Sequence, residues 1–129
     1  MNASKPRGQL EADIGEAIIR FQKEYMGRGP EETKTYLIDD VVLVRLRGVM
    51  TPAEKQLAGA EPDAHGRALI KQMRFELLEK SRAPISRIIE GITGRKVVSL
   101  HQDMSTIVGE QVILFTLDGC PQMNRRDKE

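Results

Sequence analysis

The sequence contains one cysteine, Cys120, and no tryptophan, and only 4% of its residues are aromatic. A single thiol excludes an internal disulfide and a cysteine-built metal site, which suits a reducing compartment. Scarce aromatics leave Leu, Ile and Val to fill the core. No apolar run approaches the roughly 20 residues that span a bilayer. The N-terminal MNASKPRGQLEADIGEA has no apolar signal segment, so a cytoplasmic location is expected. A charge surplus is missing as well, with 20 Lys and Arg against 19 Asp and Glu. The two signs are interspersed, so no global field draws in nucleic acid or anionic lipid. The basic ends, Lys5 with Arg7 and Arg125 with Arg126, read as solvated tails.

What is present is enough apolar residue in 129 positions, 40% of them hydrophobic, for one ordinary domain with its own core. From Gln9 to Met26 the positions Leu10, Ile14, Ala17, Ile18, Phe21 and Tyr25 recur at spacings of three and four, the period of an amphipathic helix. Gly27, Gly29 and Pro30 end it. Thr33 to Gly48 is rich in strand formers around Asp39 and Asp40, which predicts a hairpin. Val42, Val44 and Leu46 then share the core face, with Val41, Leu43, Arg45 and Arg47 opposite.

Thr51, Pro52 and Glu54 spell a helix start with a capping box. After the interruption GAEPDAHG, the positions Leu69, Ile70, Met73, Leu77, Ile85, Ile88, Ile89 and Ile92 trace a long helical stripe that Pro84 should kink or split. Gly94 closes it. Lys96 to Met104 and Gln111 to Asp118 form a second extended pair, with Val98 and Leu100 expected on the core face and Val97 on the other. The expected fold is α+β, with two helix–hairpin halves forming a four-stranded antiparallel sheet and helices on one face. Residues 1–8 read as a flexible N-terminus, 9–118 as a single domain and 119–129 as a disordered tail.

With helices on one side, the other sheet face carries Leu37, Val41, Leu43, Val97, Val112 and Leu114 among Arg45, Arg47, His101 and Asp103. Such a surface is too apolar for free solvation and is the expected contact for a homodimer or protein partner. A one-residue slip in strand phase would exchange the two faces.

Chemistry-bearing patterns are weak. The turn GRGP follows a helix end, whereas anions are cradled at helix starts. Gly91 to Gly94 spell the GxxG of KH loops but lead from a helix into a strand. His101 with Asp103, the turn carboxylates Asp39 and Asp40, and isolated His65 lack the convergent spacing of a metal site. No nucleophile motif is present, and neither a cofactor nor a metal is expected. Catalysis is the less favoured reading. Its alternative form is a small-molecule-binding protein or enzyme, with a pocket near the GRGP turn built from Arg28, Lys34, Tyr36 and Asp39.

The stretches FQKEYMGRGPEETKTYLIDDVVLVRLRGVMTPAEKQLA, GRALIKQMRFELLE and GRKVVSLHQDMSTIVGEQVILFTL resemble the bacterial MpsC family over about residues 8–118. The most specific parts are the GRGP turn, the Asp-Asp connection and the TPAEKQLA helix start, and the GAEPDAHG interruption is longer than the family's usual connection. The resemblance implies a cytoplasmic accessory or regulatory protein beside the membrane subunits of a sodium-translocating, membrane-potential-generating system. It implies no catalytic residues, and no ion movement by this chain alone.

Overall fold

The computed structural model describes residues 5–59 and 65–123. The first helix, α1 (Arg7–Met26), begins inside the stretch expected to be flexible, because the Pro6 carbonyl accepts the N–H groups of Gln9 and Leu10, each at 3.1 Å. It stops at Gly27, whose φ of 83° lets its N–H turn back to the Lys23 carbonyl at 3.0 Å. That left-handed turn is the helix exit expected from GRGP.

Strands β1 (Glu32–Ile38) and β2 (Val41–Arg47) form a hairpin around Asp39 and Asp40. Helices α2 (Pro52–Gly59), α3 (His65–Lys80) and α4 (Arg82–Thr93) follow, and then the hairpin β3 (Val97–Ser105) and β4 (Glu110–Leu117). The four strands are antiparallel in the order β1-β2-β4-β3. The fold is therefore α+β, with the hairpins joined through β2 and β4. The repetition of helix and hairpin does not extend to the helical layer, since three helices precede the second hairpin.

Local chemistry accounts for the breaks. At the start of α2 the Glu54 N–H donates to Thr51 Oγ1 at 3.1 Å, and Glu54 Oε1 accepts the Thr51 N–H at 2.9 Å, which is the reciprocal capping box. The centre of the GAEPDAHG interruption lies outside the described residues. Between α3 and α4 the chain splits at Ser81, whose N–H reaches both Leu77 and Leu78 carbonyls. Pro84 then falls in the first turn of α4, where its missing N–H removes no helical bond.

Leu37, Val42, Val44, Leu46, Leu100, Met104, Ile113, Phe115 and Leu117 form the inner sheet face, and they pack against apolar residues of α1, α3 and α4. Two positions depart from the expected phase. Leu37 is only 3% exposed, because the two-residue turn pairs Ile38 with Val41 and so sets Leu37 beside Val42 in the core. Val97 packs inward, because a bulge between Val97 and Ser99 shifts the register and turns out Val98, which is 59% exposed. The core line of α3 runs through Ile70, Arg74 and Leu78, while Leu69 and Met73 stay exposed. Residues 119–123, expected to belong to the disordered tail, lie against the body. Arg95 Nε donates to the Cys120 carbonyl at 3.0 Å and Met123 packs on the core.

Candidate functional site

The sheet registers fix the outer face residue by residue. Side chains that share a face recur every second position and stand beside their cross-strand partners. Four rows result: Ile38–Val41–Thr116–Ser99, then Tyr36–Leu43–Leu114–His101, then Lys34–Arg45–Val112–Asp103, then Glu32–Arg47–Glu110–Ser105. The apolar residues of the helices pack on the opposite face, and α3 reaches these rows at Asp103 through Lys71. Of the residues expected on this face, Val41, Leu43, Arg45, Arg47, His101, Asp103, Val112 and Leu114 are there together. Leu37 and Val97 are not.

The rows grade from apolar to charged. Arg45 contacts Glu110 at 2.6 Å, while Arg47 lies 3.6 Å from Glu110 and 3.5 Å from Glu32. The hydrogen bond from Arg45, with Arg47 nearby, holds the Glu110 carboxyl below its ordinary range. Glu110 accepts a hydrogen bond from Arg45 and lies within ion-pair distance of Arg47, which Glu32 also meets, so the two arginines are balanced by two carboxylates within the sheet. The Tyr36 hydroxyl interacts with Arg45 at this end, while Leu43 and Leu114 beside it keep the middle of the face apolar.

Both outer strands have backbone groups occupied by side chains. On β1 the Leu37 N–H donates to Glu11 Oε2 at 2.8 Å, a carboxylate projected from α1. On β3 the Leu100 carbonyl accepts from Arg82 Nη2 at 3.1 Å, and Lys71 reaches Asp103 at 3.2 Å. The Met104 N–H and then Lys71 lower the Asp103 carboxyl below its ordinary value. Such plugs oppose strand addition along the edges.

Beneath the sheet lies a polar chain that the sequence patterns did not disclose. Buried Arg74 donates from Nε and Nη2 to the Glu54 carboxylate at 2.9 and 2.6 Å, from Nη2 to the Val49 carbonyl at 2.8 Å, and from Nη1 to Gln111 at 3.4 Å. Gln111 in turn donates to Gln102 at 3.0 Å. These contacts tie the loop after β2, α2, α3 and the second hairpin together. Their satisfied geometry marks a structural brace, with no group left facing a substrate.

The four residues of the alternative pocket do not converge. Arg28 donates to the Met50 and Gly48 carbonyls at 3.0 and 3.5 Å, so the arginine of GRGP staples the exit of β2. Lys34 and Tyr36 stand on the outer face, and Asp39 sits in the turn at the far end of β1. A seven-residue strand separates that turn from the GRGP end by roughly 20 Å. A cleft of about 990 Å³ does open near Glu31, but among its walls are Arg47, Met50, Lys55, Arg67, Ile107 and Val108. No three His, Cys, Asp or Glu residues converge as a metal site among the described residues.

Comparison with known proteins places this geometry in a family. The family model MpsC, described as "Na+-translocating membrane potential-generating system", matches residues 6–119. The chain belongs to the MpsC family. A relative from Bacillus subtilis (strain 168), the "Uncharacterized protein YbcI", is 40% identical over 113 residues, covering 88% of this chain and 89% of that protein. No solved structure matches the chain. The span matched by the MpsC model takes in every strand of the outer face, together with the Glu54–Arg74 brace. Among the described residues no helix is long and apolar enough to cross a membrane.

Proposed function

We propose that this MpsC-family chain works by protein association, as a cytoplasmic accessory or regulatory component of the system for which the family is named. Its contact surface is the outer sheet face, and a second copy of the chain is the simplest partner. The observation that carries this reading is the uncovered Tyr36–Leu43–Leu114 row, flanked by Val41 and Val112, beside edges plugged by Glu11 and Arg82.

The size of the face sets the strength expected. Four strands about 4.8 Å apart, carrying rows about 6.7 Å apart, span roughly 500 Å². Two such faces approach the ~1,000 Å² at which specific interfaces begin. A reversible, concentration-dependent assembly follows, of the kind that suits a regulatory contact. The charged end, where Arg45 and Arg47 meet Glu110 and Glu32, would form a polar rim at one end of an aliphatic centre.

Light scattering over a range of concentrations tests this. The wild type should rise above monomer mass, whereas Leu43→Lys combined with Leu114→Lys should stay monomeric with unchanged circular dichroism. These two residues are cross-strand partners, so the pair places two like charges at the centre of the face. Retention of the wild-type mass by that variant would reject the site.

A further inference from the structure

The most exposed large apolar residues described are not on the sheet face. Ile107 and Val108 are 86% and 70% exposed at the tip of the β3–β4 turn. The turn is closed by the Gly109 N–H donating to the Ser105 carbonyl at 2.9 Å. Both side chains also stand on the rim of the 990 Å³ cleft, which they share with Arg47, Lys55 and Arg67. Arg47 is occupied by Glu32 and Glu110, but Lys55 forms no ion pair among the described residues, and Arg67 spends one bond, at 3.4 Å, on the Ala58 carbonyl. The carboxylates of Glu31 and Glu32 line the same cleft, and Glu32 is held by Lys34 and Arg47.

We infer that this end of the molecule docks on an anionic membrane surface, with Ile107 and Val108 entering the acyl boundary and Lys55 and Arg67 meeting lipid phosphates. A convex apolar tip backed by cations joins the two terms that hold a peripheral protein at a bilayer, apolar insertion and attraction to anionic headgroups. Either alone is marginal. The two hairpin turns differ accordingly. The β1–β2 turn is Asp39–Asp40, which an anionic surface repels, while the β3–β4 turn is aliphatic with cations behind it. A bilayer accepts such a tip without a matching socket, whereas a protein partner would need a pocket shaped to both side chains. This contact adjoins the charged end of the outer sheet face, with which it shares Arg47 and Glu32, and does not use the apolar Leu43 and Leu114 row.

Sedimentation of the full chain with vesicles tests the inference. Vesicles of phosphatidylcholine with one quarter phosphatidylglycerol should carry the protein down at low salt, and phosphatidylcholine alone should carry much less. Ile107→Asn with Val108→Asn should lower partitioning about tenfold. Lys55→Glu with Arg67→Glu should lower it by at least about tenfold and remove most of the salt dependence. The Leu43→Lys, Leu114→Lys variant should sediment as the wild type does. The inference is overturned if the wild type ignores anionic vesicles, if the tip variant sediments undiminished, or if the sheet-face variant alone loses binding. A photo-crosslinker at position 107 that labels protein in place of lipid would likewise overturn it, assigning the tip to a protein partner.

Discussion

The Glu54 carboxylate and the Arg74 guanidinium meet through two hydrogen bonds, 2.9 Å from Nε and 2.6 Å from Nη2, with both residues buried. The same carboxylate caps α2 by accepting the Thr51 N–H. One acid therefore serves a helix start and a core ion pair at once.

Breaking that pair from one side should be far more damaging than replacing both partners. Arg74→Met strands a buried carboxylate and Glu54→Leu strands a buried guanidinium, so each should lose about 3–5 kcal/mol of stability. The double variant Glu54→Leu, Arg74→Met removes both charges and should be more stable than either single variant. Urea denaturation measures the difference. A double variant at the sum of the two single losses would show that the pair is not coupled.

The pair also gives stability a pH dependence. Burial raises the Glu54 carboxyl, but the Arg74 hydrogen bonds and the Thr51 N–H outweigh it and hold the group below its ordinary 4.5. A folded-state value below the unfolded one means that the stabilisation is complete above the unfolded value and is lost as pH falls through the folded one. The urea midpoint should therefore decline below about pH 4.5 in the wild type. In Glu54→Gln it should start lower and fall less steeply over the same window. Glu110 and Asp103, also lowered but close to solvent, should contribute little to the limb.

Much of this architecture is legible in the chain because the signals are local. The capping box is four consecutive residues, the GRGP exit is a glycine at positive φ, and Val42, Val44 and Leu46 alternate cleanly. The misplaced residues are those where local signals tie. Strand β1 carries Leu37 on one parity and Ile38 on the next, and only the turn register decides between them. Val97 and Val98 are chemically alike, so nothing in their composition announces the bulge. Arg74 hides for another reason. Its partner lies 20 positions earlier and was already accounted for as a cap, so an arginine among Leu69, Met73 and Leu77 reads as surface. The residues of the proposed lipid contact are likewise dispersed, since Lys55, Arg67 and Ile107 come to line one cleft only after three separate elements have packed.

Two hydroxyls under α1 offer a stabilising change. Thr33 Oγ1 and Thr35 Oγ1 are buried without a hydrogen-bond partner among the described residues. Thr35 lies so close to α1 that a Cβ at Gly15 would stand 3.2 Å from its hydroxyl. An unsatisfied buried polar atom destabilises, and an apolar group of the same shape does not. Thr33→Val and Thr35→Val should each raise stability by about 1 kcal/mol, read as a higher urea midpoint at unchanged slope.

The turn at Asp39 carries strain that can be relieved or increased. Its φ of 54° places a non-glycine residue in the left-handed region, within a two-residue connection that pairs Ile38 with Val41. Aspartate tolerates this conformation better than most residues, glycine adopts it freely, and a β-branched side chain clashes there. Asp39→Gly should leave the fold as stable or slightly more so, while Asp39→Val should lose about 1–2 kcal/mol. The cost should spread beyond the hairpin, because the neighbouring Asp40 carbonyl accepts the Leu117 N–H at 2.8 Å and so fastens the turn to the end of β4. Amide exchange at Leu117 reads this directly. It should quicken in Asp39→Val and stay slow in Asp39→Gly, and equal protection in the two variants would mean that the turn does not hold the register of the central strands.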